Sequence, residues 1–110
     1  MPGTPGRDGP AFLAAAATDV LVPPSGQYYV ITHIHLVNQD AAARTVNMWI
    51  GATGGSADGT EVFEEKSIAA NDVYDYYCRT KLNPTDFLTG LASVASMVIC
   101  TIDYEAYVIP

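Results

Sequence analysis

The chain has 110 residues, 49% of them hydrophobic, and twelve acidic against five basic side chains give a net charge of −7. That length suits one domain around a single core, and the scatter of Arg7, Arg44, Lys66, Arg79 and Lys81 excludes nucleic-acid binding by phosphate neutralisation. No apolar run reaches the ~18–20 residues of a membrane span, and AFLAAAATDVLVPP is no signal peptide, since Asp8 cancels the one basic residue before it, Arg7. The chain reads as a soluble protein made in the cytoplasm, with no membrane and no nucleic acid among its partners.

Residues 2–10, PGTPGRDGP, carry too much Pro and Gly for helix or strand. Gly3, Gly6 and Gly9 recur at period three with proline between them, the pattern of a collagen triple helix. Three triplets are too few to hold such a helix alone. Two readings stay open: a flexible polyproline-II-like arm, and three arms starting side by side on a trimer. AFLAAAA (11–17) is too short for an independent helix and is placed as an extended segment lying on a neighbouring surface. The organisation is thus an extended N-terminal arm, 1–17, and a sandwich domain, 18–110.

A short strand over 18–22 is stopped by Pro23-Pro24 and the turn at Ser25-Gly26. Gln27 to Asn38 is the clearest strand. Strict alternation puts Val30, Thr32, Ile34 and Leu36 on one face and Ile31, His33, His35 and Val37 on the other. Asn38-Gln39-Asp40 turns the chain into a strand over 45–50, with Val46, Met48 and Ile50 inward and Trp49 on the other face. GATGGSADGT (51–60) lacks the Gly-Lys-Ser/Thr ending of a phosphate loop and reads as a long hairpin connection. Strands follow at 61–68, at 73–82 (Tyr74 and Tyr76 on one face, Tyr77 on the other), at 87–93 and at 97–108. About eight short strands at roughly ten-residue spacing predict an all-β fold, an antiparallel β-sandwich of jelly-roll type.

His33 and His35, two apart on a strand, point the same way and are spaced to share a metal ion. With Asp40 they brush against the cupin pattern, but a third histidine does not exist and the acid is Asp in place of Glu. A non-catalytic ion held by histidines from several subunits is another reading, and a half-buried strand face or subunit contact is the plainer one. No serine sits in a nucleophile elbow, and Glu61, Glu64 and Glu65 read as a solvated face, with Glu64 and Glu65 pointing to opposite sides. Cys78 and Cys100 fit no zinc spacing. They are free buried thiols, or a disulfide if their Cα atoms come within about 7 Å. The eight Tyr and Trp side chains suit a stable interface, or stacking on sugars. No catalytic residue, cofactor or resident metal is expected.

VPPSGQYYVITHIHLVNQD, followed by TVNMWIG, IAANDVYDYY and LNPTDFLTGLAS, resembles small β-sandwich virion structural proteins of tailed bacteriophages over about residues 19–105. The resemblance implies a virion component and no enzyme. Within that group the small domain and its arm point to a homotrimeric capsid decoration protein on the virion surface, clamping the major capsid protein. Arg7, Phe12, Leu13, His33 and His35 are the candidate contact residues. A phage tail or fibre-tip module binding a host glycan is the alternative, and a cupin-like metal enzyme a weaker one.

Overall fold

A strand that alternates apolar and polar residues can bury only one face, and two such sheets bury each other's apolar faces. The computed structural model, which describes residues 3–51 and 61–110, shows this arrangement. Its strands are β1 (Thr4–Phe12), β2 (Thr18–Leu21), β3 (Gln27–Asn38), β4 (Arg44–Gly51), β5 (Glu61–Ile68), β6 (Val73–Leu82), β7 (Phe87–Ala92) and β8 (Val98–Val108). They form two four-stranded sheets, β1-β8-β3-β6 and β2-β7-β4-β5, in which every pairing is antiparallel. This is the eight-stranded jelly roll, so the expected all-β sandwich is the fold. The described residues include no helix, hence none long and apolar enough to cross a membrane. The hairpin connection read at 51–60 lies outside the described residues, apart from Gly51 at the end of β4.

The N-terminal segment departs from its reading as an arm. Residues 4–12 are the edge strand β1, paired with β8 from Thr4↔Ala106 to Phe12↔Ile99. The period-three glycines have a cause within the single chain. A Cβ on Gly3 would lie 2.7 Å from the Tyr107 ring, and one on Gly6 would lie 2.6 Å from the Tyr104 ring. Residues three apart on a strand face opposite sides, so each glycine makes room for the tyrosine on its own side. Gly9 does something else. It has φ +88° where the β1–β8 register shifts, and a Cβ there would lie 2.5 Å from the Cys100 carbonyl oxygen. Residues 13–17 then cross to the second sheet, held by Leu13 N–H to Val98 O (2.9 Å) and Ala92 N–H to Ala14 O (2.9 Å).

β3 holds a second departure. Its register against both β6 and β8 shifts between Ile31 and His33, which marks a bulge at Thr32. A bulge reverses the side-chain parity beyond it. Ile31 therefore faces inward with Ile34 and Leu36, all at most 1% exposed, and not outward with the histidines as strict alternation predicts. The core between the sheets joins these residues to Val46, Met48, Leu82, Leu88 and Ile102. Trp49 is buried as well (8% exposed). Asn38, read as a turn residue, is fully buried. Its amide donates to the carbonyls of Ala42 and Ile68 at 3.0 Å and of Ala69 at 3.2 Å, while its oxygen accepts from Asp40 N–H at 3.0 Å. One side chain thus ties the end of β3 to the turns after β3 and β5.

Candidate functional site

On the outer face of the first sheet, opposite partners on neighbouring strands share a side. The register aligns Arg7 (β1) with Asp103 (β8), Asp103 with His33 (β3), and His33 with Tyr77 (β6). In the next row His35 lies between Thr101 and Asp75. The bulge at Thr32 creates this arrangement, because it turns His33 and His35 outward over strands that carry Asp75 and Asp103 on the same face.

The resulting cluster is tightly connected. His33 Nε2 is 2.8 Å from Asp75 Oδ1, and His35 Nδ1 is 2.5 Å from the same oxygen. The other ring nitrogen of His33, Nδ1, is 3.2 Å from Asp103 Oδ2. The Tyr77 ring stacks on His33 at 4.3 Å and 4° between planes. The hydrogen bond to His35, and then that to His33, hold the Asp75 carboxyl below the ordinary carboxylate range. The ligand atoms of His33, His35 and Asp75 lie within 4.8 Å of one another. Chemically, this is a surface group of two imidazoles and one carboxylate, backed by a second carboxylate. It differs from the cupin pattern in that its acid is Asp75 on β6, not Asp40, which is engaged with Arg44 at 2.5 Å.

The other predicted contact residues differ in exposure. Arg7 is exposed on the edge strand. Phe12 is 51% exposed at the end of β1, whereas Leu13 is 4% exposed and belongs to the core, where it is not available to a partner. Phe12, Leu13, Asp8, Val20, Gly90 and Cys100 border a cavity of about 140 Å³ where β1 and β2 adjoin. Burial raises the Asp8 carboxyl and pushes the Cys100 thiol up to about 12. A protonated thiol is a poor nucleophile and a poor metal ligand, so this cavity offers no thiolate chemistry at neutral pH. Both cysteines are free.

Tyr77 is among the aromatic side chains whose pattern suits an interface, whereas nothing in the sequence points to Asp75 or Asp103. Alternation along 73–82 put Asp75 and Tyr77 on one side, but nothing local paired that side with the histidines.

The fold is an eight-stranded antiparallel jelly-roll sandwich. Neither a protein-family model nor a curated protein matches the chain. A solved structure of a Bacillus endospore appendage, from a family of disulfide-linked pili, is similar to it at TM-score 0.52 and 18% identity, over 98% of this chain and 91% of that one. This finding corrects the functional reading drawn from the sequence. The bacteriophage decoration role, with its phage-tail alternative, is overturned: a structure that matches over 98% of this chain is a bacterial appendage protein, not a capsid protein. The physical reason lies in the motifs. The phrases that carried the phage resemblance are turn and packing signals, which report a jelly roll and not the particle it belongs to.

Proposed function

We propose that this chain is a structural, non-catalytic subunit that assembles with copies of itself into a fibre through a sheet edge. The observation that carries the reading is the contrast between β6 and the other three edge strands. β1 contains Pro5 and Pro10 and a register shift. β2 is only four residues long. β5 carries Glu64, Glu65 and Lys66 and two register shifts against β4, with Glu65 at φ 48°. Proline, shortness, charge and bulges are the devices by which edges are kept from pairing with other chains. β6 carries Asp75, Arg79 and Lys81 and one register shift against β3, but it runs for ten residues, VYDYYCRTKL, without proline or glycine, and this length of unbroken strand is what sets it apart. It also presents Val73 at 48% and Tyr77 at 74% exposure.

An extended strand added to such an edge gains main-chain hydrogen bonds along its length, with side chains supplying specificity. Pairing of β6 with a segment of the next copy other than its own β6 repeats without closing and builds a filament, whereas β6-to-β6 pairing closes a two-fold dimer. The likeness to an endospore pilus protein supports this reading. The linkage differs, however. Cys100 is buried, and the Cys78 Sγ donates to the Ile31 carbonyl at 3.3 Å, so the assembly proposed here rests on strand pairing and not on disulfides.

Sedimentation velocity over a concentration series, with electron microscopy of the same samples, tests the proposal. The wild-type chain forms long oligomers as concentration rises. The double variant Val73→Lys, Tyr77→Lys places charge along the edge and stays monomeric with an unchanged circular dichroism spectrum. A wild-type chain that remains monomeric throughout contradicts the proposal.

A further inference from the structure

We propose that His33 Nε2, His35 Nδ1 and Asp75 Oδ1 form a binding site for one divalent transition-metal ion of the zinc type, on the outer face of the first sheet. The three atoms converge from two adjacent strands and lie within 4.8 Å of one another. Tetrahedral coordination at about 2.0–2.1 Å from each ligand places ligands roughly 3.3–3.4 Å apart. The carboxylate oxygen stands 2.8 Å from one nitrogen and 2.5 Å from the other, so these separations must widen by roughly 0.5–0.9 Å, within reach of a torsion of an exposed side chain.

A second layer supports the ligands. A metal-bound histidine almost always gives its other ring N–H to a carboxylate or carbonyl, which fixes the tautomer and the ring orientation. Asp103 Oδ2 stands in that position, 3.2 Å from His33 Nδ1. It leaves the Nε2 lone pair of His33 for the ion. The Tyr77 ring, parallel to His33 at 4.3 Å, limits rotation of the imidazole from above. Charge favours the site as well: the ion's two positive charges meet the Asp75 and Asp103 carboxylates, in a chain whose net charge is −7.

Two imidazole nitrogens and a single carboxylate oxygen select a borderline-soft ion over Mg²⁺ or Ca²⁺, which prefer all-oxygen shells. Three protein ligands leave a fourth position open on the solvent side. All of its members belong to one chain, so the site needs no second copy, although Asp75 and Tyr77 lie on β6, the strand proposed for assembly.

Isothermal titration of Zn²⁺ alone into the full chain at neutral pH tests this. One ion binds per chain. Asp75→Asn or His35→Ala weakens binding by at least about tenfold, Asp103→Asn weakens it by about 10–100-fold through loss of orientation, and Mg²⁺ does not compete. Imidazole nitrogen NMR of the wild-type chain reads the same site without any variant: Zn²⁺ shifts His33 Nε2 and His35 Nδ1. Absence of saturable binding overturns the proposal, as does stoichiometric binding that survives in the His33→Ala, His35→Ala double variant, or Zn²⁺ that moves neither ring nitrogen.

Discussion

Gly6 stands directly across the β1–β8 pair from Tyr104, so close that a Cβ on residue 6 would lie 2.6 Å from the ring. Tyr104 in turn stacks on Tyr29 at 4.1 Å, and both pack against the core. The ring therefore has little freedom to retreat, and glycine at position 6 is what lets β1 lie flat on β8. Just before β1, on the other side, Gly3 leaves room for Tyr107, which stacks on Tyr28 at 5.0 Å.

Substitution of these glycines yields an ordered series. Gly6→Ala destabilises by about 1–3 kcal/mol through overpacking. Gly9→Ala costs more, because the methyl meets a backbone carbonyl, which cannot swing aside, at a positive φ that L side chains disfavour. Gly26→Ala, with φ +83° but nothing within 4 Å, costs about 1–2 kcal/mol in backbone strain alone. Urea denaturation of the three variants checks the order.

Asn38 is the side chain whose loss the fold tolerates least for its size. Asn38→Ala strips the buried partners of their hydrogen bonds and is expected to cost about 2–4 kcal/mol. Asn38→Asp is worse despite its equal shape, because a carboxylate cannot donate to the carbonyls of Ala42, Ile68 and Ala69. Thermal unfolding of both variants tests the ranking.

Acid weakens the turn between β3 and β4. The Arg44 guanidinium, hydrogen-bonded to Asp40 (Nε to Oδ2 2.6 Å), holds the Asp40 carboxyl below its ordinary value, with the Ala41 N–H adding to the effect. A carboxyl whose pKa is lower when folded contributes stability above its unfolded value, and that contribution is lost as pH falls through the folded value. The window therefore lies below about pH 4. Arg44→Gln should flatten the loss of stability between neutral pH and about pH 3, as read by urea midpoints; an acid limb unchanged by the substitution contradicts this.

The two thiols differ and do not pair. Cys78 on β6 and Cys100 on β8 are separated by the whole width of β3, roughly 10 Å from sheet spacing alone, beyond the ~7 Å that a disulfide allows. Mass spectrometry after air oxidation should find no Cys78–Cys100 link. Cys100, its thiol pushed up to about 12, should resist alkylation at mildly alkaline pH until the chain is unfolded.

Much of the sandwich was legible in the sequence, and the exceptions have physical causes. The bounds of β3, β5 and β6 follow from alternation closed off by turn residues, and Tyr74 and Tyr76 face the core while Tyr77 faces out, as their spacing predicts. β1 was not legible, because its Pro and Gly deny it any local strand preference. It is a strand because it pairs with β8, where Gly3 and Gly6 leave room for Tyr107 and Tyr104, about a hundred residues on. The inward turn of Ile31 was hidden because a bulge leaves no mark in an apolar/polar pattern. Half of the candidate site was visible as His33 and His35. Asp75 and Asp103 join them through the β3–β6 and β3–β8 registers, which no local signal specifies.

Hydrogen–deuterium exchange followed by mass spectrometry, comparing dilute with concentrated chain, tests the assembly proposal most directly. The account predicts that the peptide covering residues 73–82 gains protection as the chain associates, because β6 acquires a partner strand. Association that protects the β2 or β5 edge and leaves β6 unchanged, or no protection at any concentration, would contradict it.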